Sequence, residues 1–419
     1  MATVHWALGG VLVLGLLCPG QPLVAPHGCA APAAQPCGPP RVRPGLEVLL
    51  SDSLHLVRGR RVGLVTNQAG VDHLGKSGVD RLLGAGVRLT ALFSPEHGFR
   101  GTADPGAAVL STTDPATGLP IYSLYGANSA PTDAMLDGID VMLVDLQDAG
   151  ARYYTYLWTT VEVMRAAQRR QLPVILLDRP NPIGGAVQGN VLDTVYRTAV
   201  GLIAIPMRHG MTLGELARLA RHDLGLTADL TVVPVAGWKR SVYFDRTALP
   251  FIPPSPNLTS LEALIHYPGT CLFEGTTLSV GRGTDHAFEQ VGAPWLDTTR
   301  VLADLAAAHL PGVAFHGVAF RPSKPGDGKF ADTTVAGIRL EVVDRTAYDP
   351  TLTALRLLQA VSRTGAPLFT ADRRHFQRLL AEKLNDTLFT SGDWTTLGAR
   401  WGTARTAFLE RRKPFLLDY

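Results

Sequence analysis

Short, continuously apolar runs alternate with stretches of helical periodicity through the first half of the chain. Arg60–Asn67 (RRVGLVTN) and Val87–Phe93 (VRLTALF) flank a segment that fits a helix around Lys76–Leu83, the spacing of a βαβ unit. Ile139–Leu146, Leu172–Asp178 and Leu202–Met207 repeat the pattern, with the helical stretch YLWTTVEVMRAAQRR between the first two. Runs this uniformly apolar predict central parallel strands covered on both faces by helices. The predicted class is therefore α/β with a mostly parallel sheet, and its active site is expected where the strands end at their carboxyl edge. Past MTLGELARLARHDL the pattern changes. Aromatic and proline-rich loops from Trp238 to Pro268 precede separated strand and helix signals: Thr334–Asp344 alternates as an edge or half-buried strand, and PTLTALRLLQAV, RRHFQRLLAEKL and ARTAFLERRKPFLL read as helices with solvated basic faces. The organisation predicted is a signal-like segment with a tether at 1–40, a parallel-sheet domain at 41–245 and a smaller α+β domain at 246–419 that contributes to the cleft.

Composition narrows the classes. With 419 residues, 46% of them apolar, the chain can bury a large core. Its 39 basic and 36 acidic residues nearly cancel, unlike a dedicated nucleic-acid binder, and 43 Gly and 30 Pro without a period exclude a collagen-like array. Residues 1–40 carry no Asp, Glu, Lys or Arg, and Trp6–Leu17 has the length of a secretory apolar region, too short to span a bilayer securely. Export to a periplasmic or extracellular space is expected, without a stable transmembrane domain. A mistaken start or a buried strand is the alternative, because the segment before the apolar run lacks Lys and Arg. Neither Cys18 nor Cys29 follows a good small-residue lipidation box, which leaves a lipid anchor a minor alternative. Cys29 and Cys37 can pair after export, whereas Cys271 is expected reduced and buried. No CxxC, HExxH or Walker loop occurs, so no metal and no cofactor is assigned.

Polar clusters follow several of the strands. Ser94–Gly101 (SPEHGFRG) sets Glu96 and His97 on a turn after a strand; Glu96 can protonate a leaving oxygen with His97 as companion, or it can simply accept loop N–H groups while His97 packs on Phe99. In Asp145–Tyr156 (DLQDAGARYYTY), Asp148, Arg152 and the tyrosines combine a carboxylate, a fork donor and stacking surfaces. They suit a polyhydroxylated acidic substrate; equally, Asp145 or Asp148 can cap the next helix and pair with Arg152. Asp178–Gly185 (DRPNPIGG) is a stiff loop whose Asn181 can bond a sugar hydroxyl or acetamido group or serve a turn. Arg208 and His209 stand before a predicted helix start at Thr212, with Glu215 in capping-box register. Glu274 is the best later carboxylate, with Arg282 as a donor or as its ion-pair partner.

Taken together, VGLVTNQAGVD, LFSPEHGFRG, VDLQDAGARYYTY, LLDRPNPIGG, GNVLD, IPMRHGMTLGELA, the long string PSPNLTSLEALIHYPGTCLFEGTTLSVGRGTDHAFEQVGAPW and GVAFRPS resemble, in number and order, the exo-β-N-acetylmuramidase family of peptidoglycan glycoside hydrolases over roughly 60–345. The resemblance implies a Rossmann-like amino-terminal domain joined to a smaller carboxyl-terminal one. It also implies release of terminal β-linked N-acetylmuramic acid from the non-reducing end of peptidoglycan fragments. By the same resemblance Glu96 is the leading acid/base and His97 its companion, with Asp148, Arg152, Tyr154, Asn181, Arg208, His209, Glu274 and Arg282 in the cleft. The match departs at FRPSKPGDGKF, so substrate contacts from 321–333 are not carried over. Cleavage needs an acid and either a second carboxylate, for which Asp148 and Glu274 are the candidates, or the substrate's own acetamido group. A lactyl carboxylate would seek Arg152, Arg208 or Arg282. A non-catalytic cell-wall glycan-binding protein needs the same tyrosines, arginines and Asn181. A nucleotide-dependent enzyme is disfavoured, because the glycines lack a dinucleotide fingerprint.

Overall fold

A computed structural model of the chain describes residues 41–104, 106–108 and 110–419. The expected signal-like segment, its tether and the Cys29–Cys37 pair lie outside the described residues. In chain order the strands are β1 (Arg61–Thr66), β2 (Arg88–Ser94), β3 (Thr112–Thr113), β4 (Pro120–Ser123), β5 (Val141–Asp145), β6 (Val174–Leu177), β7 (Gln188–Val191), β8 (Pro206–Arg208), β9 (Leu230–Val233), β10 (Gln290–Ala293), β11 (Val313–Phe320) and β12 (Val335–Val342). Seven of them form one sheet in the order β3-β4-β2-β1-β5-β6-β9, parallel throughout except for the β3–β4 pair. From β1 the chain builds outward to β2 and β4, then returns to β5 on the other side of β1. That reversal makes the carboxyl ends of β1, β2 and β5 a topological switch point, where parallel sheets leave a crevice between diverging loops.

The central strands are buried on both faces, as their uniform apolarity requires: every residue of β5 and β6 is inaccessible, and in β1 only Arg61 is partly exposed. Helices Tyr156–Arg169 and Leu213–Asp223 pack on one side. The second of these opens with the capping box expected from its sequence, in which Thr212 and Glu215 each take the other's backbone N–H. On the other face, helices Gly45–Asp52 and Gly78–Gly84 cover a separate cluster around Leu64, Leu92 and Leu143. The carboxyl-terminal part is built on a second, three-stranded antiparallel sheet in the order β10-β12-β11, with helices Leu261–Thr270, Thr298–Ala307 and Pro350–Ser362 packed around it. Its apolar residues join the same core cluster as the first sheet's helical face. Among the described residues no helix is long and apolar enough to cross a membrane.

Three local differences from the sequence pattern have physical causes. Leu202–Met207 is not a central strand. Pro206 brings no N–H to a ladder, and only Pro206–Arg208 pairs, antiparallel with β7, while Leu202, Ile203 and Ile205 bury their side chains from a loop. The outer parallel position is filled instead by β9, whose half-exposed LTVV lacks the continuous apolar signature. β12 has the half-buried character that its alternation allowed, at the centre of its sheet and not at an edge. The helix expected from Arg373 to Leu384 stops at Leu380, because Ala381 turns left-handed (φ 52°) and folds its N–H back to Gln377.

Close helix packing generates one stability test. A Cβ on Gly269, near the end of helix Leu261–Thr270, would stand 1.9 Å from the Pro350 carbonyl oxygen at the start of helix Pro350–Ser362. Ala normally stabilises a helix interior by about 1 kcal/mol over Gly. Gly269→Ala is expected to do the reverse, lowering stability by about 1–3 kcal/mol as the helices are forced apart, in urea denaturation.

Candidate active site

At the switch point lies a cavity of about 330 Å³, within the roughly 300–1,000 Å³ typical of small-ligand sites. Glu96 and His97 enter it from the turn after β2, and Tyr153, Tyr154 and Thr155 from the segment between β5 and helix Tyr156–Arg169. The carboxyl-terminal part supplies Tyr267, Glu274, Arg282, Phe288, Gly326, Asp327 and His375.

Glu96 is 8% exposed and braced at both oxygens. Oε1 accepts from Gly106 N–H at 3.0 Å and Oε2 from the Thr155 hydroxyl at 2.7 Å. Thr155 occupies the N-cap position of the 14-residue helix, yet its hydroxyl is turned to Glu96 and not to the helix N–H groups. One donor on each oxygen fixes the orientation of the carboxyl group in the cavity wall and leaves a further lone pair on each. His97 adopts a left-handed conformation (φ 71°), a costly one for a residue with a side chain, and donates from Nδ1 to the Ala103 carbonyl at 2.9 Å. Burial lowers its pKa against the opposing pull of Glu96, so the neutral ring is favoured, with its other nitrogen unprotonated. Burial and then the charge of Glu96 push Tyr125 up to about 12, keeping that neighbouring hydroxyl protonated.

Opposite chemistry comes from the Glu274–Arg282 pair. Arg282 donates from Nε at 2.8 Å and from Nη2 to the same Glu274 oxygen, while the other oxygen receives the Cys271 thiol at 3.5 Å. Burial works against the Arg282 charge, but Glu274 outweighs it and Asp327 adds to the effect, holding the guanidinium above its usual pKa. Among the described residues Arg282 Nη1 has no partner, in a side chain that is 8% exposed. The wall is aromatic. Tyr267 meets Phe288 edge-to-face at 4.8 Å and Tyr153 at 6.1 Å, and the Arg282 guanidinium lies 5.0 Å from the Phe288 ring centre. The Tyr154 hydroxyl is buried without an aligned hydrogen bond. Among the described residues no cluster of His, Cys, Asp and Glu could hold a metal ion.

Glu96, His97, Tyr154, Glu274 and Arg282 therefore share one cavity. The other residues expected in the cleft do not line it. Arg152 is buried the other way, donating to the carbonyls of Asn190, Ile205, Leu379 and Leu380. Asp148 accepts from Gly150 N–H at 2.7 Å and lies 3.3 Å from His209 Nε2, an approach without hydrogen-bond alignment, while His209 Nδ1 accepts from Met211 N–H. Asn181 bridges Met211 O and Ile183 N–H. Arg208 is held by Gln188, Ile183 O and Tyr243 beside a separate cavity. Each is engaged with buried backbone groups or a buried neighbour. The helix-cap alternative for Asp145 does not hold either, because it forms a buried two-point ion pair with Arg179. Thr155, Tyr267, Phe288, Asp327 and His375 were not singled out from sequence. Thr155 lies within the tyrosine string and Tyr267 and Phe288 within the long matched one, whereas His375 falls in a helix whose basic face the sequence leaves to solvent.

Comparison with known proteins agrees with this architecture. Residues 62–262 match the family model described as exo-beta-N-acetylmuramidase NamZ, N-terminal, and residues 265–418 match its C-terminal counterpart. The peptidoglycan beta-N-acetylmuramidase NamZ of Bacillus subtilis (strain 168) is 44% identical over 324 residues, 77% of this chain and 78% of that protein. Two DUF1343 family crystal structures from Bacteroides fragilis superpose with TM-scores of 0.82 and 0.71. They are 32% and 31% identical, each covering 90% of this chain and 99% and 98% of theirs.

The opposed roles of Arg152 and Tyr154 make a paired test. Arg152→Met removes the guanidinium from four carbonyls, of which Ile205 O and Leu380 O keep Leu192 N–H and Asn190 Nδ2 as donors, and is expected to cost about 3 kcal/mol in urea denaturation. Tyr154→Phe removes a hydroxyl without a partner and should leave stability within about 1 kcal/mol.

Proposed function

The chain belongs to the exo-β-N-acetylmuramidase NamZ family, and from that premise we propose that this peptidoglycan glycosidase acts exo, releasing terminal β-linked N-acetylmuramic acid from the non-reducing end, with Glu96 as general acid/base. The observation that carries the assignment of Glu96 is its position: a buried carboxyl at a topological switch point, braced at both oxygens and lining the cavity.

In this reading the glycosidic oxygen takes its proton from the Glu96 carboxyl group, whose orientation Gly106 and Thr155 hold. Glu274, paired with Arg282, is the second carboxylate; it stabilises the oxocarbenium-like sugar or orients the acetamido group. Asp148 drops out of that role because it does not line the cavity. Of the three arginines considered for the lactyl carboxylate, Arg282 alone lines the cavity and has a free nitrogen, Nη1. The rings of Tyr267 and Phe288 offer the sugar's apolar face a stacking surface. The uncharged apolar run Trp6–Leu17 supports export, so the reaction is assigned outside the cytoplasm.

Product analysis with a small MurNAc–GlcNAc disaccharide in both anomeric linkages tests the whole reading. Free N-acetylmuramic acid is expected from the β-linked form. Calorimetric binding with no product between pH 5 and 8 would make the protein a glycan-binding module. Glu96→Gln is expected to lose at least about 100-fold in turnover while still binding the disaccharide; near-normal turnover would remove Glu96 as the acid. Thr155→Val removes the hydroxyl that holds Glu96 Oε2 and is expected to lower turnover about tenfold with the disaccharide still bound; unchanged turnover would argue that the Thr155 contact is not made during turnover.

A further inference from the structure

β11 and β12 are joined by residues 321–334, a connection longer than the about 12 residues beyond which loops without their own secondary structure are uncommon and usually functional. The loop is closed at its base, where Asp332 N–H bonds Pro322 O at 2.8 Å, and it holds Lys324, Phe330 and Asp332 in left-handed conformations. Strain of this kind persists only where surrounding contacts enforce it.

Those contacts are found at two points on either side of Arg282. Ser323 N–H bonds Gly283 O at 2.9 Å, and the backbones approach so closely there that a Cβ on Gly283 would stand 2.4 Å from Ser323 O. Farther along, the Lys329 ammonium sits among four carbonyl oxygens, those of Phe273, Glu274, Thr276 and Leu278, at 2.8–3.3 Å. It thereby ties the loop to the backbone segment that bears Glu274. Between the two anchors Gly326 and Asp327 form part of the cavity wall, with Asp327 still open to solvent.

We infer that Asp327 is a specificity-determining residue of this site and that Lys329 is the positioning residue that sets it in the cavity wall. An ionised carboxylate can only accept hydrogen bonds, so the group it selects must be a donor: a hydroxyl or the acetamido N–H of the amino sugar. Arg282 serves the acidic end of the same substrate from the opposite charge. The inference rests on the glycosidase reading above, since it takes the substrate to be that amino sugar.

The test is a double-mutant cycle on KM for the β-linked MurNAc–GlcNAc disaccharide. Asp327→Ala and Lys329→Met are each expected to raise KM about tenfold, with kcat less affected, and the double variant should be no worse than the poorer single one, because both remove the same contact. A wild-type KM in Asp327→Ala, or effects that simply multiply in the double variant, would overturn it. If Lys329→Met does not fold, Asp327→Asn decides, since it keeps one acceptor oxygen and should fall between wild type and Asp327→Ala. An inactive wild-type protein would instead count against the glycosidase reading. Calorimetry of the same saccharide then judges Asp327, with about tenfold weaker binding in Asp327→Ala expected and an unchanged Kd contrary.

Discussion

The placement of the site depends on how the chain satisfies the carbonyl oxygens that its loops and helix ends bury. Arg152 is the central case. Its guanidinium takes the last carbonyls of helix Arg374–Leu380 together with those of Asn190 and Ile205, so residues distant in sequence converge on one planar cation. A cation at a helix's carboxyl end also meets the negative pole of its dipole. With Arg152 held on that side, the next three residues present Tyr153, Tyr154 and Thr155 to the cavity, and Thr155 reaches Glu96. Lys329 repeats the device with an ammonium, and Arg412 with the carbonyls of His209 and Gly210.

Charge inside the cavity is deliberately unbalanced. Glu96, Glu274 and Asp327 face a single lining guanidinium, while burial favours the neutral forms of His97 and His375. Such a site has little to offer a multiply charged anion, yet it suits a neutral sugar ring that develops positive charge as its glycosidic bond breaks. Under the proposed function, the one nitrogen of Arg282 left without a partner among the described residues is the place for one acidic group beside otherwise negative surroundings.

Much of the fold was legible in the apolar runs, because strands buried on both faces must be mostly apolar along their length, as β1, β2, β5 and β6 are. The half-exposed β9 escaped for the converse reason, and Leu202–Met207 misled because burial in a loop leaves the same mark as burial in a strand. Glu96 stood out since a carboxyl two residues past a central strand must emerge at the carboxyl edge. Arg152, Asn181, Arg208 and His209 occupy equally plausible turns but point into packed backbone. Adjacency along the chain says which loop a side chain belongs to, not which way it turns.

What the amino-acid order determined by itself is the central strands β1, β2, β5 and β6, the parallel class of their sheet and the edge at which chemistry collects, all consequences of local periodicity and continuous apolarity. Which polar residues reach the cavity was decided only by tertiary structure. Arg152 turns inward because carbonyls more than 200 residues away needed a donor, and Asp327 enters the site because Lys329 finds oxygens more than 50 residues before it. Those partners become neighbours only when the chain has folded, so no window of sequence contains the information that assigns them.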